Sequence, residues 1–276
     1  MKYFSESLDK LQEIAKSNKA KYVEASPFPH IVLPNFFNPE MLDIVVEEFP
    51  DLSKIDAIKY DNNNEKKLAG KGEYKLGDIS KGFVHFLNSQ PFLEFLQELT
   101  GIEEILLPDP YLFGGGMHEI KPGGLLKIHA DFNKHNTTHL DRRLNVLVYL
   151  NRNWEESYGG HFELWDADMK TSHVKILPLF NTMAIFSTTD FSYHGHPDPL
   201  TCPPDRSRKS LALYYYSNGR PAHEISGEAH STLFQARPDN VADIAPLTEA
   251  RKDSLIKKII RNITPPIILK TIKKIQ

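Results

Sequence analysis

From Glu104 onward the chain is a succession of short β-type runs cut by Gly, Asn, Asp and Pro, and that texture leaves few architectures open. The runs are Ile105–Leu107, Tyr111–Phe113, Leu125–His129, Leu144–Leu150, His161–Trp165, His173–Ile176, Thr182–Phe186 and Leu211–Tyr216. Branched and aromatic residues at this spacing predict strands with no room for crossover helices between them. The expected fold is mainly β with flanking helices, its core a double-stranded β-helix, or jelly roll, over residues 104–220. The mouth of such a barrel can hold an ion and a small molecule.

Residues 1–103 read as an extension packing on that core. Leu8, Leu11, Ile14 and Ala15 recur at helical spacing within residues 4–18. His30–Pro34, bounded by prolines, predicts a short strand, and Asn38-Pro39-Glu40 caps a helix running to about Phe49. The polar stretch Tyr60–Lys75 is expected to be a mobile loop, and Pro91–Thr100 a helix ending before Gly101. Residues 221–276 form a C-terminal extension that ends in two short basic amphipathic helices broken at Pro265-Pro266.

At 276 residues, with 40% hydrophobic and 25% charged residues, the chain has an ordinary globular composition. A formal net charge of -3 argues against a nucleic-acid partner, which needs a dense basic surface. The charge is unevenly spread: residues 251–276 carry eight Lys or Arg against Asp253. That segment fits either peripheral attachment to an anionic membrane, contact within a homodimer, or packing on its own core with solvated lysines. The single Cys202 excludes an internal disulfide, and no signal peptide or membrane span stands out; the expected location is cytoplasmic.

The chemistry concentrates in three separated segments: His129-Ala130-Asp131, Tyr193-His194-Gly195-His196-Pro197, and Arg208-Lys209-Ser210. Residues two apart on a strand share a face, so His129 and Asp131 can reach one ion together. A second imidazole, from His194 or His196, completes a two-His, one-carboxylate set of the kind that holds Fe(II) on one side and leaves other positions open. A guanidinium just downstream offers a fork for a carboxylate, with Lys209 the competing cation.

In order and spacing these segments resemble the Fe(II)/2-oxoglutarate-dependent dioxygenases, in particular the prolyl 4-hydroxylase-like branch. Arg143–Asn151 is similar to the family's strand after the first ligands, and Trp154 to Leu164 to its Gly-Gly hairpin; the resemblance covers about residues 115–217. It implies that His129, Asp131 and His194 ligate Fe(II), and that Arg208 and Ser210 bind the far carboxylate of 2-oxoglutarate. His196 then becomes a supporting donor. It also implies O2 as co-substrate, with ascorbate as an accessory, and release of succinate and CO2 as an unactivated C–H bond is hydroxylated. Asp131 distinguishes the chain from related halogenases, which have a small residue there.

One departure stands out. Ile120 and Leu126 occupy positions where relatives commonly carry tyrosines, one of which touches the co-substrate. Asn145, Tyr149 or His118 is expected to complete the pocket instead. By resemblance the substrate is a peptidyl or free amino acid, notably proline-like. The alternatives are a sugar, nucleotide-linked or lipid-like small molecule, or a jelly-roll module that binds a metal or partner without turnover. The segment Phe132–His139 is a candidate substrate-contacting loop. His135, His139, His161 and His173 read mostly as structural or solvated, and Trp154 and Trp165 as packing residues.

Overall fold

The computed structural model describes residues 2–224, 227, 229–238, 240 and 243. The basic helices expected over 251–276 lie outside the described residues. In chain order the elements are α1 Leu8–Val23, β1 His30–Pro34, α2 Pro39–Glu47, β2 Ile58–Asp61, β3 Lys66–Ala69, α3 Asp78–Leu87 and α4 Gln90–Thr100. They continue with β4 Leu107–Pro108, β5 Gly116–Ile120, β6 Leu126–Ala130, β7 Asp141–Tyr149, β8 Phe162–Trp165 and β9 Ser172–Ile176. The remaining strands are β10 Thr182–Ser187, β11 His194–His196, β12 Arg208–Ser217 and β13 Leu233–Phe234. No helix among the described residues is long and apolar enough to cross a membrane.

Two antiparallel sheets face each other as a jelly roll. The major sheet runs β1-β10-β7-β12-β5-β3-β2 with β4 on β12, and the minor sheet runs β13-β6-β11-β8-β9. Three strands from the first 103 residues are therefore part of the major sheet.

Side-chain alternation on the central strands divides two environments. Leu144, Val146 and Val148 of β7, with Leu211, Leu213 and Tyr215 of β12, join a core with Leu11, Leu42, Phe83, Phe92 and Phe95 of the helices. The opposite parity of β7 and β10, at Tyr149, Ala184 and Phe186, meets Phe162 and Leu164 of the minor sheet. The helices thus stiffen the outer face of the major sheet and leave its inner face for chemistry.

Local signals account for the helices. Asn38 Oδ1 accepts from the backbone N–H groups of Glu40 and Met41, with Pro39 at the first helical position of α2. The N-terminal donors of α3 are satisfied by Glu48, whose carboxylate accepts from the Ser80 N–H at 2.7 Å. α3 depends on that distant carboxylate and carries no side-chain cap of its own, so its start is not marked in the sequence.

The structure corrects four expectations. Tyr60–Lys75 holds the β2–β3 hairpin, which extends the major sheet through β3 on β5. Tyr111–Phe113 forms a turn, its N–H groups bonded to Asp109, and the strand follows at Gly116–Ile120. α3 occupies a stretch with no assigned element. His194–His196, outside the strands read from the sequence, is a strand paired on both sides.

Candidate active site

His129 and His194 face each other across β6 and β11 as registered partners, their ring centres 4.5 Å apart. Asp131 follows directly after β6 and brings Oδ1 to 3.6 Å from His129 Nε2 and Oδ2 to 3.3 Å from His194 Nε2. One ligand atom from each of the three residues falls within 4.8 Å of the others. The β11 strand can lie this close because its middle residue is Gly195: a Cβ there would sit 2.7 Å from the carbonyl oxygen of Leu126.

The donor chemistry suits a divalent metal. His129 Nδ1 pairs with the Lys127 carbonyl and His194 Nδ1 with the Ser192 carbonyl, each at 2.8 Å. Those bonds require N–H at Nδ1 and leave Nε2 as the lone-pair donor on both rings. Burial, followed by the charge of His194, lowers the His129 pKa and favours the neutral ligating form. Burial alone would raise the Asp131 carboxyl, yet Arg142, His194 and His129 together hold it well below the usual carboxylate range. Two imidazoles presenting Nε2 and one carboxylate match the expected Fe(II) set.

Asp131 is fixed by two neighbours. Asn145 Nδ2 donates to Asp131 Oδ2 at 2.7 Å, and Arg142 Nη2 lies 3.1 Å from the same oxygen. Arg142 Nε and Nη2 also donate to Asn145 Oδ1 at 3.0 and 2.7 Å. Asn145 lines the pocket, with both ends of its amide engaged by Asp131 and Arg142.

Arg208 lies at the other end of the same pocket, 5% exposed. Its Nε donates to the Gly160 carbonyl at 2.9 Å and its Nη2 to the Tyr149 hydroxyl at 3.4 Å. Among the described residues no carboxylate forms an ion pair with it, so burial works against its charge with only Tyr149 in compensation. Ser210 shares its face of β12 and lines the pocket with it. Lys209 points the opposite way, its Nζ 4.9 Å from the Phe49 ring centre. Alternation along the strand turns Arg208 into the pocket and Lys209 away from it.

The Gly-Gly turn has a defined task at this end. Gly160 has φ +75° and a Cβ there would lie 2.6 Å from Leu200 Cδ2 and 3.0 Å from Arg208 Cδ. Only glycine lets the carbonyl at 160 approach and orient the Arg208 fork.

Ile120 and Leu126 do line the pocket, as aliphatic wall. His118 lies there as well, its Nε2 3.2 Å from the Gly114 carbonyl and its pKa lowered to about 3 by burial and then by Lys67. His196, buried in the same wall, has both ring nitrogens without a hydrogen-bond partner among the described residues.

A cleft of about 420 Å³ opens beside Asp131. Its walls include Tyr60, Lys67 and Lys71 from the hairpin region, Phe113, Phe132 and Arg142. Phe132 thus comes from the segment expected to contact substrate. His135, His139, His161 and His173 line neither this cleft nor the pocket of Arg208. Trp154 and Trp165 donate their indole N–H groups to Gly159 and Glu163, in keeping with packing roles.

Sequence reasoning missed Arg142 and Lys67. The register between β7 and β12 shifts so that Tyr216 opposes Arg142 while Tyr215 opposes Leu144. Arg143 is the extra residue of that bulge, and the bulge turns Arg142 onto the same face as Asn145. A strict period-two reading puts it on the other face. Lys67 offered no signal, because its hairpin reads as a polar loop.

Residues 115–216 match the 2OG-Fe(II) oxygenase superfamily. Among solved structures, the chain is similar to a prolyl hydroxylase from Trichoplax adhaerens in complex with a hypoxia inducible factor oxygen degradation domain peptide fragment. The identity is 18% and the TM-score 0.56, over 77% of this chain and 94% of that one. It is similar to a Pseudomonas putida prolyl-4-hydroxylase at 13% identity and TM-score 0.50, over 77% of this chain and 100% of that one. A similarity to prolyl 4-hydroxylases from Phytophthora capsici reaches 16% identity and TM-score 0.50, over 78% of this chain and 68% of that one. No curated protein sequence matches the chain. At these identities the structural likeness establishes the jelly-roll fold.

Proposed function

We propose that the chain, whose residues 115–216 match the 2OG-Fe(II) oxygenase superfamily, is an oxygenase that hydroxylates an unactivated C–H bond of a peptidyl or free amino acid of proline-like character. One observation carries the reading. The His129–Asp131–His194 set, both imidazoles buried, shares a single pocket with Arg208, a buried cation lacking an ion-pair partner among the described residues. A molecule with a metal-chelating head and a carboxylate tail satisfies both ends, and 2-oxoglutarate is such a molecule.

His129, Asp131 and His194 would hold the metal. When bound, Fe(II) supplies the oxygen chemistry by which 2-oxoglutarate becomes succinate and CO2 while one oxygen atom enters the substrate. The protein's own groups do the rest. Arg208, oriented by Gly160 and Tyr149, fixes the carboxylate tail. Arg142 and Asn145 keep Asp131 ionised and aimed. Phe162 and Phe186, on the same pocket wall, exclude water.

The amino-acid substrate draws on the peptide bound by the Trichoplax protein and on the cleft of about 420 Å³ beside Asp131. A second reading, the same chemistry on a small anionic sugar- or nucleotide-like molecule, is favoured by Lys67, Lys71 and Arg142 standing beside Tyr60 and Phe132. The basic segment 251–276 fits, by sequence alone, attachment at an anionic surface, contact with a second copy, or packing on its own core.

The test is anaerobic Fe(II) loading, exposure to O2 with and without ascorbate, and a coupled succinate assay over peptide, amino-acid and glycan pools. Mass spectrometry then locates a gain of one oxygen. Oxygen on an amino-acid residue is expected. Oxygen on a glycan or nucleotide favours the second reading, and no 2-oxoglutarate consumption with any pool overturns both.

A further inference from the structure

His196 is 3% exposed, and neither its Nδ1 nor its Nε2 has a hydrogen-bond partner among the described residues. The other histidines of this pocket each commit one nitrogen: His129 and His194 to backbone carbonyls, and His118 to the Gly114 carbonyl. Every imidazole carries at least one N–H, and burying it unpaired is costly. A fold retains such a group where a ligand supplies the missing partner.

The surroundings indicate which ligand. His196 is the register partner of Leu126 across β11 and β6, and Arg208 is the partner of Ile120 across β12 and β5. Those two aliphatic walls offer nothing polar to a carboxylate. His196 lines the pocket together with Arg208 and Ser210 and with His129, Asp131 and His194.

We propose that His196 is a binding residue for the 2-oxo dicarboxylate co-substrate, its imidazole N–H donating to an oxygen of the molecule held between His129–Asp131–His194 and Arg208. The proposal rests on the oxygenase reading above. It assigns to β11 the polar contact that Ile120 and Leu126 cannot make.

The experiment uses the full chain loaded with Ni(II), which binds without turnover. 2-Oxoglutarate is titrated by calorimetry into wild type, His196→Leu, His196→Gln and Arg208→Ala, and thermal unfolding is followed with and without it. His196→Leu should weaken 2-oxoglutarate by about tenfold or more, as loss of a hydrogen bond to a charged group does, and leave Ni(II) affinity within about twofold. Because an unpaired buried polar group is removed, ligand-free His196→Leu should melt at a higher temperature than wild type, while its 2-oxoglutarate-induced shift shrinks. His196→Gln, which keeps an N–H donor, should recover part of the binding.

Unchanged 2-oxoglutarate affinity in His196→Leu overturns the proposal, as does a lower melting temperature with normal affinity, which marks a packing role. Loss of Ni(II) affinity also overturns it, by making His196 a metal ligand. If wild type fails to bind 2-oxoglutarate at all, the oxygenase reading itself fails. Binding lost in Arg208→Ala but kept in His196→Leu isolates the failure to His196.

Discussion

Arg142 holds Asp131 from behind, its Nη2 3.1 Å from the carboxylate Oδ2. The guanidinium lies 3.5 Å from the ring centre of Tyr214 and 4.3 Å from that of Phe132, so it is fixed before any metal binds.

Arg142→Leu should therefore damage both stability and metal binding. Removing one partner of a buried pair costs about 3–5 kcal/mol. The folded Asp131 carboxyl sits well below the usual range, so its stabilisation is complete above the unfolded value of about 3.9 and is lost as pH falls through the folded value. Without Arg142, burial raises that carboxyl, and Ni(II) affinity should drop more at pH 6 than at pH 8. Equal losses at the two pH values would contradict this account.

Arg208→Lys tests the fork against a point charge. Arg208 is already placed by two bonds, to Gly160 and Tyr149, that a lysine cannot reproduce together. The Michaelis constant for 2-oxoglutarate should rise by roughly 10- to 100-fold, the scale of one to two lost charged hydrogen bonds. Steady-state succinate formation at saturating substrate checks it.

Gly160→Ala is expected to reach the co-substrate through the backbone. The new Cβ collides with Leu200 and Arg208 at a positive φ, for about 1–3 kcal/mol of destabilisation. Denaturant unfolding should show that loss. 2-Oxoglutarate affinity should fall with Ni(II) affinity preserved, a combination that a purely global defect does not produce.

His118 makes a pH prediction. Its folded pKa is lowered to about 3 by burial and Lys67, below the unfolded value of about 6.5. The unfolded chain then takes up the proton first, so stability is present above pH 6.5 and declines as pH falls toward 3, by up to ~1.4 kcal/mol per pH unit for this group. Urea midpoints at pH 7 and pH 5 should differ less in His118→Gln than in wild type.

Much of this was legible in the residues. The short branched runs after Glu104 foretold two β-sheets, since alternation and turn residues are local properties. The order of His129, Asp131, His194 and Arg208 predicted residues that the structure gathers around one pocket. Asn38 and Pro39 marked a helix start because the capping atoms lie within three residues. α3 went unread because its cap, Glu48, is 32 residues from Ser80.

The sequence by itself determined the ligand types, their order and the β texture, because side-chain chemistry and strand period need only neighbouring residues. Tertiary structure alone decided which face each cation takes. Period two turns Arg208 inward and Lys209 toward Phe49 once the strand is placed, but the bulge at Arg143 reverses that rule and brings Arg142 to Asp131. It also decided that His196 finds no hydrogen-bond partner among the described residues, since whether a buried nitrogen is paired depends on every strand packed around it.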